Sequence, residues 1–327
     1  MKVQVLGTGY AVPERVLSNA ELESMVDTSD EWIVSRTGIR ERRIAGKGVV
    51  TSDLALRAAE EALARSGISG ADLDLIIVAT VTPDMMFPST ACILQGKLGA
   101  TNAAAFDLSA GCTGFLYAMV VAERFLLAGG VNHALVIGAE ILSNITDFTD
   151  RNTCILFGDG AGAMVLGRGP GPNGILSTYL GADGNGGGLL HMPAGGSWMP
   201  ASVETVANRL HYIRMQGNEV FKFAVKVIPD CVSRVLSQAG IGIEEVDHLV
   251  LHQANLRIMQ TAAKRLNVPW DKVLVNIERY GNISAASIPV AVAEAVDEDK
   301  IKSGELVLMV GFGAGLTMGA ALVRWGR

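Results

Sequence analysis

Asp74-Leu75-Ile76-Ile77-Val78, reached through Ser66-Gly67-Ile68, has a counterpart in Asp247-His248-Leu249-Val250-Leu251, reached through Ala239-Gly240-Ile241. Gly240 stands 173 residues beyond Gly67. A second pair keeps that distance: Val307-Leu308-Met309-Val310-Gly311 begins 173 residues after Ala134-Leu135-Val136-Ile137-Gly138. Gly162-Ala163-Met164-Val165-Leu166 and Gly319-Ala320-Ala321-Leu322-Val323 also correspond, with a shifted spacing. Short runs this uniformly apolar are the signature of central strands covered on both faces. Between them, Leu54 to Arg65 repeats its apolar positions at helical spacing, with Thr51-Ser52-Asp53 as the expected cap and Ser66-Gly67 as the stop. The chain therefore reads as a duplicated α/β unit with mixed sheets. The halves, 1–172 and 173–327, meet in Gly169-Pro170-Gly171-Pro172.

Bulk properties narrow the function. With 327 residues, 49% hydrophobic and 18% charged, the chain can bury a large core and is not disordered. A net charge of −6 argues against a general nucleic-acid binder. No run of about 18 uncharged apolar residues occurs, so no membrane span is expected. The first residues, Met1 to Gly7, read as a strand entering a turn, and a cytoplasmic location is expected. Cys92, Cys112, Cys154 and Cys231 lie far apart, suggesting neither a metal site nor a disulfide framework.

The duplication gives one cysteine partners. Ala110-Gly111-Cys112-Thr113-Gly114 follows a strand-like run, Ala103 to Leu108, and opens a helix-like run, Phe115 to Leu127. A helix N-terminus there is expected to favour thiolate over thiol. In open α/β sheets ligands bind beyond the carboxyl ends of strands. His252 follows Asp247 to Leu251, and Ile277 to Ser284 stands where the cysteine unit stands in the first half, placing Asn282 at a strand-to-helix turn. Pseudo-symmetry is thus expected to bring Cys112, His252 and Asn282 to one cleft.

Other stretches are less specific. Trp32 with Arg36 and Arg40 offers an aromatic face beside guanidinium groups, suited to a nucleotide ring and its phosphates, although a solvated basic loop ending in Arg42 and Arg43 has the same composition. Met85, Met86 and Phe87, in a loop bounded by Pro83 and Pro88, need an apolar partner surface, either their own core or a second subunit. Arg257, Lys264 and Arg265 recur at i, i+7 and i+8, which puts them on one helix face. A basic face on an acidic chain suits an acidic protein partner.

Ala110-Gly111-Cys112-Thr113-Gly114, His252-Gln253-Ala254-Asn255, Gly281-Asn282-Ile283-Ser284-Ala285-Ala286-Ser287 and Gly311-Phe312-Gly313-Ala314-Gly315 resemble, in order and spacing, the motifs of the β-ketoacyl-acyl-carrier-protein synthase III family of the thiolase superfamily. Asp30-Glu31-Trp32-Ile33 through Arg40, and Phe157-Gly158-Asp159-Gly160, match as well. The resemblance implies a duplicated thiolase-like fold, layered α-β-α-β-α, with two pseudo-symmetric halves and mixed sheets. It also implies an acyltransferase that starts type II fatty-acid synthesis, with no cofactor and with acyl-CoA as a substrate. Cys112 takes the acyl group, commonly acetyl. His252 and Asn282 then stabilise the enolate formed as malonyl-acyl-carrier protein loses CO₂. The oxyanion hole combines the Cys112 amide with Ala314 or Gly315, where the family often has glycine at Ala314. By the same resemblance Trp32 and Arg151 sandwich the adenine of CoA, with Arg36 near its phosphates. Phe87 reaches from the other subunit of a homodimer to close the acyl pocket, and Lys222, Arg257, Lys264 and Arg265 address the carrier protein.

Two readings of other classes compete. A Cys/His/Asn set also serves cysteine hydrolases, but their local signatures are missing here. A non-catalytic CoA- or acyl-binding protein is the other. Within the superfamily, the lack of a second catalytic-looking cysteine speaks against a thiolase, and Asn282 in the third place speaks against the chain-elongating synthases. The preferred acyl chain, and the choice between primary fatty-acid and specialised lipid or polyketide synthesis, are not legible, since primers differing by a methylene or two differ by only about 1–3 kcal/mol in a pocket.

Overall fold

Leu75–Ala79, buried at every residue, runs parallel to Ala104–Leu108 on one side and to His133–Ile141 on the other. Asp159–Gly169 and Lys2–Ala11 extend this sheet antiparallel to five strands. The computed structural model describes residues 1–326. In the second half His248–Leu251 runs parallel to Leu306–Gly313, and Thr317–Arg324 and Gly174–Ala182 follow antiparallel. The strand order is the same in both sheets, and so is the register. Leu75 lies opposite Ala134 and His248 opposite Val307, each partner advanced by the 173 residues of the sequence repeat. One strand does not recur. The counterpart of Ala104–Leu108 is reduced to a single bridge between Leu249 and Val273.

Helices fill three further layers. Gly114–Ala128 and Ser287–Asp297 lie between the sheets. Their residues are apolar on nearly all sides, as burial from both directions requires. Gly111–Ala128 is the one stretch among the described residues long and apolar enough to cross a membrane, and here it packs in the protein core. Thr51–Ser66 and Thr90–Lys97 cover the outer face of the first sheet, Gly217–Ala239 and Leu256–Leu266 that of the second. The outer helices are amphipathic. In Leu256–Leu266 the buried residues are Ile258, Met259, Ala262 and Ala263, while Arg257, Lys264 and Arg265 face solvent. The layering is α-β-α-β-α.

Two local expectations are corrected. Of Thr51-Ser52-Asp53 only Asp53 takes part in the cap. The cap is Val50, whose N–H donates to Asp53 Oδ2 at 3.1 Å from inside the first turn. The Thr51 hydroxyl and the Ser52 amide are instead drawn to Thr82 O and Asp84 Oδ1 in the neighbouring loop. The stretch from Asp30 to Arg43 is not a solvated basic loop either. Ser29 Oγ accepts the Trp32 amide at 3.1 Å and starts a helix, Asp30–Thr37. Arg42 sits in the strand Glu41–Arg43, fully buried, with its guanidinium donating to Leu17 O, Asn19 Oδ1 and Ile155 O. Desolvation pulls that guanidinium down to about 10. A matching excursion, residues 183–216, follows the first strand of the second half and carries the small sheet of Leu190–His191 and Arg214–Met215. Both excursions overhang the carboxyl ends of the strands.

Candidate active site

Cys112 occupies a single turn, Gly111–Thr113, that feeds directly into the helix Gly114–Ala128. Gly111 has φ +55, and the loop after Leu306–Gly313 presses against it. A Cβ on Gly313 would lie 2.6 Å from Cys112 N, so only glycine lets that strand end reach the nucleophile's backbone. The strand-to-helix placement expected of Cys112 is present, but the resting thiolate is not. Burial pushes the thiol up to about 11, with the nearby Glu140 carboxylate raising it further and the Ser284 hydroxyl acting against both. A helix terminus contributes up to about 2 kcal/mol, or roughly 1.5 pH units. Burial of the sulfur opposes it. The sulfur rests as a thiol.

His252 extends the strand His248–Leu251 by one residue, its N–H donating to Val310 O at 2.9 Å. Its ring is almost wholly buried and meets the edge of Phe312 at 5.3 Å between centroids. Burial lowers the imidazole to about 3, so it is neutral at physiological pH. Nδ1 lies 2.6 Å from Ser287 Oγ, which also accepts the Gln253 amide at 3.4 Å. When the hydroxyl hydrogen is directed at Nδ1, both contacts are met. The proton of the neutral ring is then on Nε2.

Asn282 stands not after a full strand but after the short helix Ile277–Tyr280, because the strand that should precede it has shrunk to the Leu249–Val273 bridge. It is fixed from the first half. Its N–H donates to Leu156 O at 2.8 Å, and its carbonyl accepts the Gly158 amide at 3.1 Å. Its side-chain Oδ1 accepts the Ser284 amide at 2.9 Å. That bond sets the side-chain flip and leaves Nδ2 as a two-hydrogen donor.

These three residues line one cavity of about 520 Å³, with Phe312 and Gly313 beside them. Cys112, His252 and Asn282 are buried, whereas Arg36, Lys222 and Arg257 on the same lining are exposed, which distinguishes floor from mouth. A smaller cavity of about 150 Å³ opens on the other side of Cys112, among Val81, Leu142, Ile145, Phe157, Leu190 and Ala314. Its apolar walls suit a short hydrocarbon group.

The other expected residues fall as follows. Arg36 and Arg151 both lie over the Trp32 ring, at 5.9 and 5.2 Å from its centroid. Arg151 stacks directly on the indole and is held by Asp27 O at 2.8 Å. A ring inserted between them needs about 7 Å, two van der Waals contacts. Arg151 therefore has to lift for any sandwich. Phe87 is 84% exposed at the tip of its loop, beside Met85 and Met86, and touches neither cavity of its own chain. Lys222 pairs with Glu219 at 2.7 Å. Arg257 stacks near Phe221, and Arg265 donates to Val225 O. Lys264 and Arg265 are exposed on the same helix but do not line the cavity. Ala314 borders the smaller cavity, and Gly315 follows it with φ +72. Sequence reasoning passed over Ser287, Phe312, Ser284 and Glu140. The first three lie inside the motifs quoted for the fold, but spacing alone assigned them no contact.

Comparison with known proteins gives consistent results. A family model described as 3-oxoacyl-[acyl-carrier-protein (ACP)] synthase III matches residues 106–184, and its C-terminal companion matches residues 236–325. The beta-ketoacyl-[acyl-carrier-protein] synthase III of Syntrophomonas wolfei is 60% identical over 327 residues, covering 100% of this chain and 98% of that protein. The protein of the same name from Clostridioides difficile is 51% identical over 324 residues, covering 99% and 98%. The crystal structure of 3-oxoacyl-[acyl-carrier-protein] synthase III from Aquifex aeolicus matches with a TM-score of 0.92 at 48% identity, over 99% of this chain and 100% of that one.

Proposed function

Given that the chain belongs to the β-ketoacyl-acyl-carrier-protein synthase III family, an acyltransferase class of condensing enzyme on the thiolase fold, we propose how its own residues carry the reaction. A short acyl-CoA, with acetyl-CoA the first candidate, acylates Cys112. The acyl-enzyme then condenses with malonyl-acyl-carrier protein to give 3-ketoacyl-acyl-carrier protein, CoA and CO₂. The observation that carries this reading is the shared cavity floor, where one buried thiol faces two neutral donors.

In the first step the Cys112 sulfur attacks the thioester carbonyl. The Cys112 amide and one from the following glycine-rich loop hold the oxyanion. Ala314 N lies beside the turn that carries Cys112, since a Cβ on Gly111 would meet it at 2.9 Å. In the second step His252 Nε2–H and Asn282 Nδ2–H donate to the malonyl thioester oxygen. As CO₂ leaves, negative charge moves onto that oxygen. A buried, neutral imidazole stabilises the enolate without protonating it, and low polarity strengthens each bond. The carbanion attacks the acyl group on Cys112. Acyl-CoA enters as substrate, and these steps draw on side chains and backbone amides alone.

The remaining roles are proposals on the same basis. Trp32, Arg36 and a displaced Arg151 bind the CoA nucleotide at the mouth. Arg257 and Lys222 there, with Lys264 and Arg265 further along the helix, receive the acidic carrier protein. Phe87 closes the smaller cavity of a second copy, a homodimer supported by the exposed Met85, Met86 and Phe87 and by the partly exposed edge strand Ala104–Leu108. Four unpaired cysteines suit the reducing cytoplasm. The halves are taken as 1–172, with the nucleophile, and 173–327, with the two donors.

Purified protein given radiolabelled acetyl-CoA alone tests the central claim. Stable label on Cys112, lost in Cys112→Ala, supports condensation. Continuous CoA release without added malonyl-acyl-carrier protein would indicate a hydrolase, and binding without label would indicate a binding protein.

A further inference from the structure

Glu294 is a buried carboxyl on the helix Ser287–Asp297 that no step above uses. Three side chains donate to it, and all come from the stretch just before Asn282. The Tyr280 hydroxyl donates to Oε1 at 2.6 Å, and the Arg279 guanidinium and Asn276 amide donate to Oε2 at 2.7 and 3.2 Å. Asn276 and Tyr280 are themselves buried, and the Tyr280 ring packs with Ile283, Ala286 and Val290. A buried carboxylate paired with one arginine gains little stability over an apolar side chain of the same size. The convergence of these donors therefore calls for another explanation.

The stretch that Glu294 grips cannot hold its own shape. Ile277–Tyr280 is a single helical turn, and a helix that short has no stability of its own in water. It ends at Gly281, whose amide donates to Ile277 O at 2.9 Å and whose φ is +64. A Cβ there would stand 2.6 Å from Leu156 O, the acceptor of the Asn282 amide. Any rotation of the turn is handed directly to Asn282.

The helix that carries Glu294 also carries Ser287, which meets His252 Nδ1 at 2.6 Å. Seven residues separate the two, so they lie two turns and about 10 Å apart along one face. Every residue from Ser287 to Ala295 is buried. The helix is seated on Asp159–Gly169, where a Cβ on Gly162 would stand 2.7 Å from Val290 N. Both donors of the enolate site are thus referred to one immobile rod.

We infer that Glu294 is a positioning residue for the condensation: through Asn276, Arg279 and Tyr280 it ties Asn282 to the same helix that, through Ser287, ties His252. The helix Ser287–Asp297 acts as a gauge that sets the separation of the two donors. Glu294 lines neither cavity and acts only through Asn282. Its loss should therefore be felt in decarboxylation and not in acylation, which uses backbone amides around Cys112.

The inference rests on the enolate role proposed for Asn282, and two readouts keep the two claims apart. In single turnovers, Glu294→Ala should slow CO₂ release from acyl-enzyme and malonyl-acyl-carrier protein at least about tenfold, the scale of a sub-ångström to ångström misplacement. CoA release from acetyl-CoA should change less than about twofold. Glu294→Gln keeps the length and an acceptor oxygen, and should recover CO₂ release to within about threefold of wild type. In an Asn282→Ala background, Glu294→Ala should add less than about twofold, because the residue it acts through is gone. The second readout is hydrogen exchange by mass spectrometry: Glu294→Ala should speed exchange over residues 274–284 roughly tenfold or more and leave residues 248–252 unchanged. Equal slowing of both half-reactions, no recovery in Glu294→Gln, full additivity with Asn282→Ala, or unchanged exchange over 274–284 overturns the inference. Should Glu294→Ala fail to fold, Tyr280→Phe, which keeps the ring, decides alone, with the same selective slowing at roughly 2- to 10-fold. If Asn282→Ala itself releases CO₂ at the wild-type rate, the enolate role fails, and the exchange pattern still decides whether Glu294 positions Asn282.

Discussion

Replacing Ser287 with alanine separates the two half-reactions, because Ser287 touches the histidine and not the nucleophile. A Ser287 hydroxyl that donates to His252 Nδ1, 2.6 Å away, holds the neutral ring with its proton on Nε2, the tautomer that the proposed enolate contact needs. In Ser287→Ala the ring stays neutral, since burial and not Ser287 sets its low value. It then has no good tautomer. With Nε2–H kept, Nδ1 is a buried acceptor without a partner. With Nδ1–H, a buried donor is orphaned and Nε2 faces the enolate oxygen with a lone pair. Leaving one buried neutral group unsatisfied costs about 1–3 kcal/mol. If that cost falls on the transition state for decarboxylation, the rate drops roughly 5- to 150-fold at 1.36 kcal/mol per decade. Acylation of Cys112 uses the backbone oxyanion hole and should change by less than about twofold, since no donor there is touched. The assay is two single turnovers: CoA release from acetyl-CoA, and labelled CO₂ release when preformed acyl-enzyme meets malonyl-acyl-carrier protein. Equal slowing of both steps, or CO₂ release at the wild-type rate, would refute the assignment of Ser287 and of the Nε2 tautomer.

Two further outcomes are expected. The His252 ring signals should show no titration by NMR between about pH 8 and pH 5, the ordinary histidine range, because burial holds the ring well below it. Its folded value of about 3 lies below the ordinary 6.5, so the unfolded chain takes up the proton first on acidification. Stability held by the neutral ring above pH 6.5 is therefore lost as the pH falls toward 3, and the urea midpoint of His252→Asn should fall less steeply over that range than that of wild type. Reversing charge at the exposed Arg257 should raise KM for malonyl-acyl-carrier protein by roughly 2- to 30-fold, twice the roughly 0.2–1 kcal/mol of a surface pair. Added salt should erase the difference. Because Arg257 also borders the cavity mouth, Lys264→Glu, off that lining, should show a smaller change in the same direction. An unchanged KM in both variants would remove the docking face.

What could be read from residues alone was whatever repeats or alternates. Leu75 to Val78 and Leu249 to Leu251 announce their burial by composition, and the constant 173-residue offset carries over into the strand register because paired strands cannot slip without turning side chains to the wrong face. The meeting of Cys112, His252 and Asn282 followed from that register. Depth was not legible. Cys112 was expected to be acidified by its helix, and nothing in its neighbours along the chain tells that the site is dry enough to reverse the sign. Residues 183–216 have no apolar period, only glycines and scattered large side chains, yet Leu190 lines both cavities. Glu140 is a lone acid at the end of an apolar run. The turn Ser284–Ala286, 144 residues later, comes to pack against that strand only in the folded chain.

The shrunken strand of the second sheet has a mechanical consequence. The segment before Asn282 is tied to both halves: Leu274 and Asn276 bond Leu249 O and Gln253 Oε1 of its own half, Glu278 O accepts the Arg40 amide, and Asn282 exchanges bonds with Leu156 and Gly158. Asn282 thus belongs to one half by covalent sequence and to the other by attachment. Parting the halves at the cleft would have to break either the bonds of Asn282 to Leu156 and Gly158 or those that tie its segment to Gln253, the neighbour of His252. The two donors are thereby held in one fixed arrangement.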